Sequence, residues 1–176
     1  MAFSSLELAF QADDEPIAII PKQGLGSMEM AGWKSPHLRP LRRSDVPLWF
    51  AVVLKRQDRC TIVWPSWLEA AQLRQVVERE RSNSQEFADL PWFWQITSQI
   101  LLREASDDCP GRIDDVVQLL QDLREIRLTK TRAGLLLANE SHLQMTGLGA
   151  LELSEVTPVL AQTMRTLESI HDAAQE

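Results

Sequence analysis

Around Trp64 the spacing of apolar residues changes, and this change limits the fold more than any single motif. Upstream, short apolar pieces alternate with turn residues: Leu6 to Phe10, Ile17 to Ile20 between Pro16 and Pro21, and Ser27 to Ala31 between Gly26 and Gly32. Each is long enough for a strand and too short for a helix of ordinary length, so a small sheet is predicted. Trp33 to Asp45 carries two prolines, Lys34, Arg39, Arg42 and Arg43, which predicts an exposed loop or edge. The run Pro47 to Leu54 passes into Lys55-Arg56, a cationic helix end, so a short helix near 47–58 is predicted with Pro47 in its first turn. Cys60 to Trp64 reads as one more strand.

Downstream the period becomes helical. Pro65-Ser66-Trp67-Leu68-Glu69 reads as a capping box opening a helix whose face holds Ala70, Leu73, Val76 and Val77, ending at Ser82-Asn83-Ser84. A second helix is predicted from about Asp89-Leu90-Pro91 to Ala105. A third carries Ile113, Val116, Val117, Leu120 and Leu123 and continues past Gly134 towards Met145. The last starts near Ser154 or Thr157-Pro158 and repeats Leu160, Met164, Leu167 and His171. The prediction is therefore an α+β chain: a small β-rich domain over residues 1–64, then a mainly α-helical bundle domain over 65–176. Charge divides at the same place. Of 18 Lys+Arg and 25 Asp+Glu, residues 1–60 hold 8 and 7 (net +1), leaving 10 and 18 (net −8) for the rest.

Composition also narrows the chemistry. Glu7 interrupts the leading apolar stretch and no run approaches the ~20 apolar residues of a membrane helix, so neither a secretory signal nor a membrane role is expected. Two cysteines, Cys60 and Cys109, make no disulfide framework and read as small packing residues in a reducing compartment. Gly24-Leu25-Gly26 lacks the third glycine of a phosphate loop, and His37, His142 and His171 fall at no metal-ligand spacing. Asp107-Asp108 and Asp114-Asp115 are accounted for by helix starts. No cofactor, metal or catalytic constellation is expected.

Two groups point to partners instead. Trp92-Phe93-Trp94, read as three successive helical positions about 100° apart, cannot share one core stripe, so at least one faces a partner or water. Arg124, Arg127, Lys130 and Arg132 recur along the third helix and either pair locally with acids such as Asp122 or reach a partner's acids. The cations Lys34, Arg39, Arg42 and Arg43, close to Trp33, fit a solvated loop or a nucleic-acid contact.

The ordered pieces Val46-Pro-Leu-Trp49, Ala51, Leu54-Lys55, Cys60, Pro65-x-Trp67-Leu68, Glu80-Arg81, Leu101-Leu102-x-x-Ala105-Ser-Asp107 and Asp122-x-x-x-Ile126-Arg127-x-x-Lys130-x-Arg132 resemble one family. It is the partner-of-Sld-five second type of subunit of the eukaryotic GINS complex, and the match runs over about residues 15–170. The resemblance implies a non-enzymatic, nuclear subunit of a heterotetramer with three other GINS subunits. It implies that this assembly bridges the minichromosome-maintenance motor ring and the cell-division-cycle forty-five-type protein in DNA unwinding, with DNA touched weakly or indirectly. Residues 33–43 are more arginine-rich than the family pattern. The rival reading from the residues is a free-standing nucleic-acid-binding module using Lys34 to Arg43.

Overall fold

The computed structural model describes residues 4–30, 32–83, 86–136 and 146–175, with side chains of the last helix described to residue 165 except at 163. It opens with a helix, α1 (Ser5–Ala12), where an extended piece was predicted. Ser4 accepts from the Glu7 backbone N–H while the Glu7 carboxylate accepts from the Ser4 backbone, a complete capping box. Leu8 and Ala12, one turn apart, then bury together, so the alternation of Leu6, Leu8 and Phe10 is absorbed by a helix that leaves Leu6 and Phe10 outside.

β1 (Pro16–Pro21) is the middle strand of an antiparallel sheet, flanked by β4 (Ser44–Pro47) and β5 (Cys60–Ile62). Ile17 sits opposite Val46, and Ile19 opposite both Ser44 and Ile62. A two-stranded ribbon, β2 (Glu29–Met30) and β3 (Trp33–Lys34), lies outside this sheet. Within the predicted loop, Leu38 is fully buried and bridges Leu25, so the middle of Trp33 to Asp45 is pinned while its cations stay out. α2 (Leu48–Arg56) is the predicted short helix, with Pro47 as its N-cap rather than its first residue. Trp33 of the ribbon packs on Trp49 and Phe50 of α2, with ring centroids 5.3 and 5.1 Å apart.

The Ser66–Glu69 capping box does not form. Ser66–Leu68 is one turn of 3-10 helix, Glu69 is extended, and α3 (Ala70–Ser82) begins after it without a side-chain cap. α4 (Trp94–Glu104) and α5 (Ile113–Leu136) follow, and α6 (Ala150–Gln175) starts about a turn earlier than predicted. The predicted continuation of α5 to Met145, the residues Ala31 and Ser84, and the side chains of Leu167 and His171 lie outside the described residues. α3 and α5 run side by side in the same direction, because Arg74 pairs with Asp115 at 3.1 Å and Arg81 with Asp122 at 3.3 Å.

The chain is thus α+β, a small sheet with two short helices followed by a mainly helical part. One apolar core runs through both parts, from Ile17, Ile19 and Val46 through Leu48, Leu54 and Trp64 to Leu73, Leu101, Val116 and Leu123. A second cluster joins Leu8 and Ala12 of α1 to Ile96 and Ala150. The predicted boundary at residues 64/65 falls inside the first of these. Polar ties cross the same line: Trp64 Nε1 donates to the Ala105 carbonyl at 3.1 Å and the Ile62 amide to Asp108 at 2.7 Å.

Candidate partner interface

Charge on an apolar stripe is what organises the helical part. The core face of α3 runs Leu73, Val77, Glu80, and that of α5 runs Val116, Leu120, Leu123, Arg127; both end in a fully buried charged residue. Arg127 spends all five of its N–H groups. Nε and Nη2 grip Glu152 at 2.7 and 2.8 Å, Nη1 donates to Glu80 at 2.6 Å and to the Ala88 carbonyl at 3.3 Å, and Nη2 also reaches the Gly147 carbonyl at 2.6 Å. The Phe87 ring lies 4.8 Å from the guanidinium. Lys130 closes the cluster on Glu80 and on the Glu86 carbonyl at 2.9 Å. Two cations meet two carboxylates, so the knot is neutral, and it ties α3, α5 and α6 to the segments around residues 86–88 and 147–149. Burial opposes the charge on Arg127, but the hydrogen bonds and charges of Glu152 and Glu80 outweigh it and hold its pKa above the usual guanidinium value.

This places two of the predicted interface residues elsewhere. Arg127 and Lys130 take their acids from their own chain, because a guanidinium buried this deeply needs partners already in place when the helices pack. Arg124 pairs with Glu155 of α6 at 3.1 Å and is half exposed, and Arg132 is exposed. Glu80 and Glu152 were not anticipated as buried acids, although Glu80 falling in register with Leu73 and Val77 was a legible sign.

The aromatic triplet is not three helical positions. Trp92 and Phe93 lie in the turn leading into α4, Phe93 at the N-cap, and Trp94 alone begins the helix. The triplet diverges because the backbone turns there. Trp94 is 2% exposed beneath Gly149, Phe93 packs on the Leu8–Ile96–Ala150 cluster, and Trp92 is 48% exposed. Trp92 is tethered through its carbonyl, which accepts from the Ala150 amide at 2.8 Å.

Between α4 and α5 runs a groove of about 250 Å³ lined by Trp94, Ser98, Leu102, Val117, Leu120 and Gln121 among others. Gln95 and Arg124 belong both to it and to a smaller recess against Val156 of α6. Gln95 is 6% exposed, and among the described residues its Oε1 has no hydrogen-bond partner. A buried acceptor without a donor is costly. Leu6 and Phe10, at 80% and 77% exposed, extend a second apolar face on α1.

The remaining calls on chemistry are simple to place. Cys60 is buried, its thiol pushed up to about 11 chiefly by that burial, and Cys109 is half-buried. Asp107 and Asp108 do more than favour a helix start, since both hold Lys55 of α2 at 2.7 and 2.8 Å. Lys34, Arg39, Arg42 and Arg43 are all exposed; Arg39, Arg42 and Arg43 flank the end of β1 at Pro21, whereas Lys34 lies on the separate ribbon.

Sequence comparison decides the family. The family model for the PSF2 N-terminal domain matches residues 4–63, and that for the GINS complex protein helical bundle domain matches residues 67–171. The chain belongs to the PSF2 family of GINS complex proteins. It is 41% identical over 169 residues to the DNA replication complex GINS protein PSF2 of Candida albicans, covering 96% of this chain and 83% of that one. The Saccharomyces cerevisiae protein of the same name is 34% identical, with 98% and 89% covered. The Schizosaccharomyces pombe protein is also 34% identical, over 100% of this chain and 95% of its own. These relatives are named as members of a replication complex rather than as enzymes.

Proposed function

We propose that this chain is a non-catalytic structural subunit of a heterotetrameric GINS complex in the nucleus. In this reading the complex bridges the minichromosome-maintenance motor ring and the cell-division-cycle forty-five-type protein, and so activates DNA unwinding at origins and forks. The observation that carries it is the pair of family matches, which together span the sheet and the helices. The geometry supports it. The densest cluster of ionisable groups is internally saturated, as suits a structural knot, whereas the α4–α5 groove and Trp92 leave apolar and polar groups available to a sister subunit.

The test is co-expression with the three sister subunits of the same genome, followed by mass measurement of the purified assembly. One copy of each chain is expected. Val117→Arg should prevent that assembly while leaving the chain's circular dichroism unchanged, because Val117 is half-buried on the groove wall and outside the core. A chain that stays monomeric among its sisters would overturn the reading. Addition of the purified motor ring and forty-five-type protein to the tetramer then tests bridging.

A further inference from the structure

Arg39-Pro40-Leu41-Arg42 is a tight turn, closed by the Arg42 amide on the Arg39 carbonyl at 3.4 Å, and Leu41 occupies it with φ +57°. Proline second and a left-handed residue third is the pattern of a type II turn, whose third position favours glycine because a Cβ is strained there. The other described non-glycine residue with positive φ is Asp58, a type that tolerates it. An exposed leucine by itself is ordinary. Here the leucine is 83% exposed, strained and absent from the core clusters, so nothing inside the chain accounts for it.

The turn is held firmly. The Leu41 amide donates to the Pro21 carbonyl at 2.8 Å, and next to it the Lys22 amide donates to the Arg59 carbonyl at 2.8 Å. The turn itself carries Arg39 and Arg42, with Arg43 following, and Lys22 stands next to the Pro21 carbonyl that Leu41 bonds. Lys22 pairs with Asp58. Among the described residues Lys34, Arg39, Arg42 and Arg43 pair with no carboxylate, although cations elsewhere on the chain, such as Arg56, Arg74 and Arg81, do.

We propose that this end of the sheet docks a protein surface consisting of an apolar recess ringed by carboxylates, with Leu41 as the inserted group and Arg39, Arg42 and Arg43 as its charged rim. The inference rests on the chain's membership of the replication assembly. Charge alone would suit a phosphate backbone equally well. Two observations favour protein. Single-strand binders present aromatic faces to the bases, but the segment's aromatic residue, Trp33, is committed to Trp49 and Phe50. The side chain offered in its place is a leucine, which gains from an apolar recess and little from a phosphate backbone.

The experiment uses the purified heterotetramer carrying wild type, Leu41→Gly, Leu41→Met or the triple change of Arg39, Arg42 and Arg43 to Ala. Leu41→Gly relieves the strain, so the turn survives and only the apolar tip is lost. Binding is read against the motor ring and the forty-five-type protein, and against a mixed-sequence single-stranded oligonucleotide and its duplex. Leu41→Gly should weaken tetramer assembly or binding to one of the two proteins by about tenfold, as expected for an unburied leucine. Leu41→Met should restore most of it, and the triple variant should weaken it several-fold with a reduced salt dependence. Arg42→Lys keeps the charge and supplies an amine, whose carbodiimide cross-link to a partner Asp or Glu should be found by mass spectrometry. If wild type binds both proteins and Leu41→Gly matches it at every step, the inference falls alone. It also falls if the triple variant loses only oligonucleotide binding. If the wild-type tetramer binds neither protein, the bridging role falls and takes the inference with it.

Discussion

Arg127 shows how one residue can be indispensable without touching a partner. Its value lies in the asymmetry between a complete ion cluster and a broken one: with the guanidinium present, Glu80 and Glu152 are paired; without it, Glu80 keeps Lys130 while the buried Glu152 loses its cation. Removing one member of such a cluster costs roughly 3–5 kcal/mol, a large part of the 5–15 kcal/mol that holds a domain together. Arg127→Ala should therefore lower the thermal midpoint of the chain steeply, whereas Arg132→Ala, on the exposed side of the same helix, should leave it within the error of the melt. A mild Arg127→Ala would mean that the cluster relaxes around the gap. Gly147 belongs to the same site. It has φ +84°, and a Cβ there would lie 2.9 Å from that of Phe87, the ring stacked on Arg127. Gly147→Ala should destabilise the chain by the strain of its backbone and by displacing Phe87, detectable as a lower urea midpoint.

At the scale of elements, the contact between α2 and the end of α4 is one that pH controls. Arg56 grips Glu104 with two bonds of 2.6 and 2.7 Å, and with help from Arg103 it pulls the Glu104 pKa from 4.5 down to about 2. A carboxylate depressed on folding contributes stability that is complete above its unfolded value and is lost as pH falls through the folded one. The stability gap between wild type and Glu104→Gln, measured by urea unfolding, should thus be constant above pH 4.5 and close between 4.5 and about 2. A gap that persists at the acid end would assign the effect to packing. Elements were legible where their period was long. α3 and α5 follow from their apolar spacing, as does β1 from a run of aliphatics between prolines. The pattern Ser-x-x-Glu occurs at Ser4 and again at Ser66, and only the first caps a helix. At Ser66 the preceding Pro65 and a 3-10 turn use the residues differently and leave Glu69 extended. Site residues were harder to read. Whether Arg127 faces inward or outward depends on α6 delivering Glu152 from 25 residues away, which no local spacing encodes.

For the whole molecule, the change of period at Trp64 marks two kinds of secondary structure sharing one core, so their stabilities are coupled. Leu48, Leu54 and Trp64 pack in the same cluster as Leu101, Ala105 and Val116, and Lys55, Arg56 and Ile62 all bond to the segment Glu104–Asp108. Cut at residue 64, the first part would expose that apolar surface and lose every one of those bonds. Below about 70–80 residues a domain has little stability to spare. Residues 1–64 expressed alone should accordingly give the collapsed amide spectrum of an unfolded chain. The full chain within its assembly should lose its sheet and its helices in a single transition, with the Trp33–Trp49 signal and the helical ellipticity falling together. Two separated transitions would show that the core is shared in space but not in free energy, and would return the sheet to the status of an independent domain.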